Sequence, residues 1–218
     1  RSNYEERTRA LVENFDTDLT PETSVAYGDY AIEHLLGHCD VALATAEHLL
    51  VNARETLAER VAPRGRVDSE LLEEYQFAAH GYAWTATYVE ALRQMRGWAE
   101  RLEEAGSFGE LEALILQSAF GEYLNQLWGG IAMSQSEIVR PEDMGLSDDA
   151  MAEFDQPAVA ELANTGNQIE VRERIAELAA AGNFGQAGLG DETLVMMADQ
   201  FHRLADEKIA PDCHDWHV

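Results

Sequence analysis

The first part of the chain has apolar residues at alternating four- and three-residue steps, which is the pattern of one helix face. We predict a helix that begins at Thr20-Pro21, because threonine is a good cap and proline suits the first helical position. The helix should end at Pro63 and Gly65, where a short turn reverses the chain. The apolar stripe of this predicted helix consists of Ile32, Leu36, Cys39, Leu43, Ala46, Leu50, Ala53 and Leu57.

A second long helix is predicted from a cap at Asp68 or Ser69 to the sequence AGSFG at residues 105–109. Long helices are marginally stable alone and gain most of their stability from burying an apolar face. We therefore expect the two helices to form an antiparallel hairpin that further helices complete. The stripe of the second helix consists of Phe77, Trp84, Tyr88, Ala91, Met95, Trp98 and Leu102.

Two capping boxes, each a serine followed three residues later by a glutamate, indicate further helix starts. Ser107 and Glu110 predict a third helix that ends at Gly129-Gly130, and Ser134 with Glu137 repeats the pattern. After these residues the sequence consists of short acidic stretches interrupted by proline and glycine, which indicates a connecting region with brief helical turns. The residues that interrupt this region are Pro141, Gly145, Pro157 and Gly166.

Two more helices are predicted near the end of the chain. Residues 167–170 cap one of them, and Asp191 starts the other, which Pro211 closes. No alternating pattern is long enough for a β-strand, so the predicted fold class is all-α, a helical bundle built on long antiparallel helices. We expect a bundle over residues 1–140, a linker with short helices over 141–190, and a final helix over 191–218.

The charge of the chain limits the partners that it could bind. Asp and Glu outnumber Lys and Arg by 41 to 15, which gives a net charge of −26. Such a charge repels nucleic acid and anionic membranes, so neither is expected as a partner. The acid excess predicts a solvated coat, with an acidic docking surface for a basic partner as the alternative. Two distant cysteines and no apolar segment of membrane-spanning length predict a cytoplasmic location.

The histidines near residue 34 have partial metal-ligand spacing. His34 and His38 lie one helical turn apart beside Cys39, but a zinc site needs three or four ligands. His48 lies too far along the same predicted helix, and the chain has no His-Glu-x-x-His sequence. We interpret these side chains as partly exposed helix histidines.

Two other groups could suggest a metal. A di-iron bundle needs Glu-x-x-His on each of two helices. The most similar sequence here, Asp199 to His202, has aspartate in place of glutamate and occurs once. The other group lies near the chain end without a predicted scaffold. It consists of Cys213, His214, Asp215, Trp216 and His217. We predict no metal site.

Enzyme motifs are also missing. His80, Trp84 and Tyr88 share a helix face and could line a pocket, but a buried seam with hydrogen-bonded polar atoms is the expected arrangement. The glycine-rich residues 185–190 follow no strand and are interpreted as a flexible linker. No nucleophile elbow, P-loop or dinucleotide-binding glycine motif occurs. The residues alone predict a helical protein without a complete active site, and we assign no catalytic, cofactor-binding or metal-binding residue.

Two segments resemble a known enzyme family. The final segment, DETLVMMADQFHRLADEKIAPDCHDWH, is similar to the opening helix of the N-terminal α-domain of flavin-dependent acyl-CoA dehydrogenases. Residues 75–146 resemble the long N-terminal extension of the methylsuccinyl-CoA dehydrogenase branch, which acts in the ethylmalonyl-CoA pathway. The two segments occur in the order that the family has. The matching residues of the final segment are Phe201, Leu204, Ala205, Glu207, Ile209, Pro211 and Trp216.

This resemblance implies an FAD cofactor and an acyl-CoA thioester substrate. In the family a glutamate base removes the α-proton, hydride leaves the β-carbon for the flavin, and electron-transferring flavoprotein accepts the electrons. The resemblance also implies a homo-oligomer. No carboxylate of this chain matches the motif of the catalytic glutamate, so the flavin-binding domain and that glutamate are expected beyond Val218.

We therefore expect the chain to be the N-terminal portion of an acyl-CoA dehydrogenase, with the rest of that polypeptide as its partner. Its bundle would pack on the catalytic body or across a dimer interface and shape access to the substrate channel. The alternative is a self-contained acidic helical interaction protein without enzymatic activity. In that alternative the last helix docks against the same chain through Leu194, Met197, Phe201 and Leu204.

Overall fold

The computed structural model describes residues 27–216, and its first long helix, α1, spans Leu35–Val61. The predicted start at Thr20-Pro21 lies outside the described residues, but a continuous helix from there is wrong, because residues 27–34 form turns. His34 precedes α1 with φ of 54°. The buried side chain of Gln117 accepts a hydrogen bond from the Ile32 amide at 2.9 Å and donates one to the Tyr30 carbonyl at 3.0 Å. These bonds replace those that a helix would make.

The predicted second helix is divided at Tyr75. Helix α2 spans Ser69–Glu74, and helix α3 spans Gln76–Glu104. The cap at Asp68 is confirmed, since its carboxylate accepts hydrogen bonds from the amides of Glu70 and Leu71. Tyr75 leaves the helical conformation with φ of −100° and ψ of 23°, which separates the two helices.

Helices α1 and α3 form the predicted antiparallel hairpin. Asp40 near the start of α1 pairs with Arg96 in the second half of α3, and Leu57 near the end of α1 clusters with Ala78. The stripe predicted on α3 is partly exposed apart from Leu102, and Phe77 is exposed. Smaller side chains occupy the core instead, because they allow close approach. The buried residues of α3 are Ala78, Gly81, Thr85, Val89, Leu92, Ala99 and Leu102.

Helix α4 spans Glu110–Gly129 and lies in the core. The predicted capping box of Ser107 and Glu110 is wrong, because the helix begins later. The Gly109 amide donates to the Glu112 carboxylate at 3.1 Å, and the Ser107 hydroxyl instead donates to the Leu102 carbonyl. The predicted end is confirmed, and Gly130 leaves the helix with φ of 123°.

A short hairpin follows α4. Strand β1 spans Ile131–Ala132, strand β2 spans Ile138–Val139, and the two are antiparallel with Ile131 opposite Val139. The hydroxyl of Ser134 contacts the carboxylate of Glu137 at 3.2 Å, but this pair lies in the hairpin turn and caps no helix. Over residues 27–216 these are the only strands, so the predicted all-α class is confirmed.

Residues 141–185 wrap around the long helices. They contain 3-10 turns at Pro141–Met144 and Ala152–Asp155 and the helices α5 (Asp148–Met151), α6 (Pro157–Thr165) and α7 (Ile169–Ala180). The brief helical turns expected here are present. However, this segment adds buried side chains to the core, which a linker would not do. Proline and glycine identify turns but do not indicate burial. The buried side chains include Met144, Leu146, Phe154, Val159 and Leu162.

The chain divides into two compact units, residues 1–185 and 186–218. The boundaries of the three predicted regions stay a prediction. In the second unit, helix α8 spans Glu192–Leu204, a π-helical turn covers Ala205–Ile209, and α9 spans Cys213–Trp216. The predicted start is confirmed, because the Asp191 carboxylate accepts hydrogen bonds from the amides of Thr193 and Leu194.

Candidate functional site

The first group of candidate ligands lies at the start of α1. His38 Nδ1 is 3.3 Å from a carboxylate oxygen of Glu161 on α6, and His34 Nε2 is 3.7 Å from Glu33. Burial lowers the pKa of His38, although Glu161 opposes this shift, and burial raises the pKa of the Cys39 thiol. A buried thiol that holds its proton is a poor ligand and nucleophile. The group therefore packs α1 against α6.

His48, further along α1, pairs with a glutamate outside α6. Its Nδ1 atom is 2.7 Å from a carboxylate oxygen of Glu153, in the 3-10 turn at residues 152–155. The sequence did not reveal that Glu153 and Glu161 face these histidines, since the partners are more than a hundred residues away. Among residues 27–216, no three or more His, Cys, Asp and Glu side chains come together in a way that could hold a metal ion.

The remaining ligand candidates lie in the second unit. Asp199 and His202 are exposed on α8, and Cys213, His214 and Asp215 are exposed on and beside α9. The Cys213 thiol donates to the Ala210 carbonyl at 3.2 Å. His217 lies outside the described residues. The described residues of this group form no ligand cluster.

The polar and aromatic residues of α3 form a surface together with α4. We call the surface of His80, Trp84, Tyr88, Tyr123 and Gln126 the aromatic face. Trp84 Nε1 donates to His80 Nε2 at 3.1 Å, and the Trp84 and Tyr88 rings meet edge-on with centroids 6.2 Å apart. Tyr88 stacks on Tyr123 at 4.7 Å. His80 is exposed and the three larger rings are partly buried, so this group borders the core instead of forming the buried seam predicted from the sequence.

The hydroxyl of Tyr88 has a defined partner. It donates to the side-chain oxygen of Gln126 at 2.7 Å, Gln126 donates to Glu122 at 2.7 Å, and Asn167 donates to the other oxygen of Glu122 at 2.9 Å. Burial, with the nearby Tyr123 and Glu122, raises the pKa of Tyr88. The phenol therefore stays protonated and cannot serve as a base near neutral pH. The network fixes the rings in place.

A surface cleft of about 400 Å³ lies between the turns before α1 and the helices α6 and α7. Its lining includes the acidic residues Asp29, Glu161 and Glu170 and no arginine or lysine. An arrangement of this kind disfavours the phosphates of a nucleotide or of coenzyme A. The cleft therefore does not fit the cofactor or the substrate that the sequence resemblance implies.

The start of α8 is also closed to an anion. The glycine-rich residues 185–190 precede this helix, but the Asp191 carboxylate already accepts hydrogen bonds from two of the first amides. These bonds lower the pKa of Asp191, so the helix start carries a fixed negative charge. A phosphate would have to displace that charge.

Helix α8 has an apolar face that nothing within its own unit covers. Leu194, Met197, Phe201 and Leu204 are 49%, 50%, 64% and 49% exposed. No described residue between 186 and 216 is buried. The apolar side chains of this unit therefore have no core of their own.

Comparison with known proteins supplies a relative. The chain is 49% identical over 197 residues, or 88% of its length, to (2S)-methylsuccinyl-CoA dehydrogenase of Cereibacter sphaeroides. The resemblance predicted from the sequence is confirmed. The matched region is 35% of the relative, so the chain spans about a third of that protein's length. No family model matches the chain. Within residues 27–216, no helix has the length and apolar character that a bilayer crossing requires.

Proposed function

We propose that this chain is the N-terminal portion of a longer FAD-dependent acyl-CoA dehydrogenase of the methylsuccinyl-CoA type. The identity of 49% over 88% of the chain, with 35% of the relative matched, carries this proposal. An identity that extends through most of the chain supports a common fold. Because the match covers only 35% of the relative, the proposal places α,β-dehydrogenation in a separate catalytic portion.

The described residues do not fit a flavin site. Bound FAD accepts a hydride, and its pyrophosphate requires positive charge or free backbone amides. The acidic cleft offers neither, and Asp191 occupies the amides at the start of α8. We therefore assign FAD, the acyl-CoA site and the catalytic base to sequence outside this chain.

The first unit is proposed to act as a rigid accessory bundle. Its long helices have a well-packed core, and ion pairs join α1 to α3. Such a body can pack on a catalytic domain and limit access to a substrate channel without contributing a reacting group. In this proposal the whole protein is a cytoplasmic homo-oligomer that passes electrons to electron-transferring flavoprotein.

The second unit is proposed to lead into the catalytic body. Its apolar face of Leu194, Met197, Phe201 and Leu204 is suited to burial against further helices of an α-domain. Burying a large apolar side chain contributes about 1.5–3 kcal/mol, so four of them would hold the helix firmly. The helix would then be ordered by sequence that this chain does not contain.

The test is to compare the chain alone with the full open reading frame that encodes it. We expect the isolated chain to be colourless and unable to oxidise (2S)-methylsuccinyl-CoA with an artificial electron acceptor. The full-length product should have flavin absorbance and oxidise the thioester. Flavin or turnover in the isolated chain would contradict the proposal, and so would a full-length product that binds no flavin.

A further inference from the structure

Two helices of the first unit end in nearly the same five residues. The AGSFG turn (residues 105–109) follows α3, and the AGNFG turn (residues 181–185) follows α7. In both turns the amide of the first glycine donates to the carbonyl three residues earlier, and the next amide donates to the carbonyl five residues earlier, at 2.8 to 3.0 Å. These glycines, Gly106 and Gly182, have φ of 64° and 86°. Both turns are therefore Schellman motifs, which fix the residues that follow the helix.

The phenylalanines of the two turns have opposite surroundings. Phe108 is 9% exposed and packs edge-on against Tyr27, with ring centroids 4.9 Å apart. Phe184 is 83% exposed, which is the largest value among the exposed large apolar side chains of residues 27–216. The same local backbone thus places one ring in the core and presents the other to solvent.

The AGNFG turn holds Phe184 firmly in this exposed position. The amides on both sides of it are hydrogen-bonded, since the Gly185 amide donates to Asn183 Oδ1 at 3.1 Å. Gly185 also lies against the start of α4, where a Cβ atom would be 3.2 Å from a carboxylate oxygen of Glu112 and 3.5 Å from Leu111 Cδ2. A side chain on a fixed backbone loses less entropy when a partner covers it. Phe184 therefore has the properties of an interface anchor.

The chain around Phe184 can be covered at little electrostatic cost. Residues 178–190 contain no Asp, Glu, Lys or Arg, although these residues make up 26% of the chain. The neighbouring Glu112 is already buried, and its carboxylate accepts a hydrogen bond from the Gly109 amide. A partner that covers Phe184 thus removes no ionised side chain of this segment from water.

Exposed apolar side chains concentrate from Phe184 onward. Among residues 27–216, ten of the seventeen exposed large apolar side chains lie between positions 184 and 216. This is the part of the chain that is proposed to lead into the catalytic body. Concentrated apolar exposure is typical of a surface that a partner covers.

We propose that Phe184 anchors the bundle to the catalytic portion of the same polypeptide by inserting its ring into an apolar pocket of that portion. The inference rests on the proposed function, which assigns the flavin and the acyl-CoA site to sequence outside this chain. It adds a contact residue that the proposed function does not name.

The size of the contact favours the same polypeptide over a separate partner. One aromatic side chain buries about 150–250 Å², whereas two separate proteins need about 800 Å² on each side. A tethered partner needs less, because a short linker keeps its local concentration near the millimolar range. Phe184 precedes Asp191 by seven residues, which span at most about 25 Å. Polypeptide that covers α8 is therefore within reach of the ring.

Hydroxyl-radical footprinting with mass spectrometry tests the inference on the unsubstituted protein. We expect Phe184 to be oxidised at least about fivefold more slowly in the full-length protein than in the isolated chain, because an anchor is fully desolvated. Phe108 is buried and should react slowly in both samples, which verifies that the core is intact.

The outcomes separate this inference from the proposed function. Equal oxidation of Phe184 in both samples, in a full-length protein that binds flavin and oxidises (2S)-methylsuccinyl-CoA, would overturn the inference alone. A full-length protein without flavin or turnover would overturn both. Protection should persist over about a hundredfold dilution, because the contact is intramolecular. Protection that is lost on dilution would assign the ring to a second copy and overturn the inference.

A substitution measures how much the anchor contributes in the full-length protein. Phe184→Ala should raise the rate at which thermolysin cleaves before Leu189 by about tenfold, since this cleavage follows the population of the undocked state. In the isolated chain the same substitution should have no effect on this rate. Unchanged cleavage in the full-length protein would overturn the inference.

The matched control lies at the other end of α7. Ile169 is also an exposed apolar residue, and Ile169→Ala should change the cleavage rate in the full-length protein by less than about twofold. Circular dichroism would verify that both variants are folded. An equal increase from Ile169→Ala would indicate general loosening of the segment and would overturn the assignment of the anchor to Phe184.

Discussion

The two units of the chain use their apolar side chains in opposite ways. In the first unit, residues such as Phe120, Leu116 and Leu124 are fully buried, and four helices share one core. In the second unit, the helix α8 has an equally regular apolar face, yet no described side chain there is buried. An amphipathic pattern therefore shows that a helix has a face to bury but does not identify what covers it.

The largest expected effect compares one phenylalanine in each unit. Phe120→Ala removes a fully buried ring from the core and should lower the free energy of unfolding by about 3–5 kcal/mol. Phe201→Ala, at a side chain that is 64% exposed, should change it by less than about 0.5 kcal/mol. Urea denaturation followed by circular dichroism measures both. Equal losses would show that the two units do not differ in this way.

A glycine at a helix crossing gives the next effect. A Cβ atom at Gly166 would lie 2.4 Å from the Gln117 carbonyl oxygen and 2.6 Å from that of Leu162, and neither backbone atom can move easily. Gly166→Ala should therefore cost about 2–3 kcal/mol in thermal or chemical unfolding. Gly129→Ala is the control, because nothing lies within 4 Å of its Cβ position. A neutral Gly166→Ala would indicate a looser contact between α4 and α6.

The ion pair between α1 and α3 should contribute less. Arg96 donates two hydrogen bonds to Asp40, at 2.7 and 3.0 Å, and its side chain is only 17% exposed. Arg96→Gln should lower the free energy of unfolding by about 1–2 kcal/mol, since the partly buried carboxylate loses its partner. Arg64→Gln, in the exposed turn after α1, should change it by less than about 0.5 kcal/mol. A double-mutant cycle with Asp40→Asn would isolate the pair.

The smallest effect concerns pH. Burial lowers the pKa of His38 below its unfolded value, so the unfolded chain binds a proton at higher pH than the folded chain does. This histidine therefore stabilises the fold above about pH 6.5, and the contribution is lost as the pH falls toward its folded pKa. His38→Gln should flatten the decline in unfolding free energy just below pH 6.5. An unchanged pH profile would show that another group causes the decline.

The sequence predicted the helices better than their exact faces. Apolar stripes located α1 and α3, capping residues indicated α4, α7 and α8, and the caps at Asp68 and Asp191 were correct. The stripe on α3 was placed on its aromatic residues, whereas the core uses Gly81, Thr85 and Val89. Large rings dominate a hydrophobicity count, but close helix approach selects small residues.

Long-range partners could not be predicted. Gln117 is polar and gives no signal in the hydrophobic pattern. Its side chain nevertheless bonds to Tyr30 and Ile32, in the turns where the sequence predicted a helix. Ser107 and Glu110 match a capping box, but Gly109 and Glu112 supply the cap. The first outcome depends on tertiary contacts, whereas the second depends on which of two overlapping local caps forms. The function was easier to predict from the sequence than from the structure. The resemblance of two segments pointed to a relative that the described geometry alone would not identify.

The central claim is that the first unit folds by itself and the second requires sequence outside this chain. Hydrogen–deuterium exchange of the isolated chain and of the full-length protein tests it most directly. The account predicts that the amides of α1, α3 and α4 are protected in both samples, and that those of α8 exchange rapidly in the isolated chain and slowly in the full-length protein. Protection of α8 in the isolated chain equal to that of α4 would contradict it.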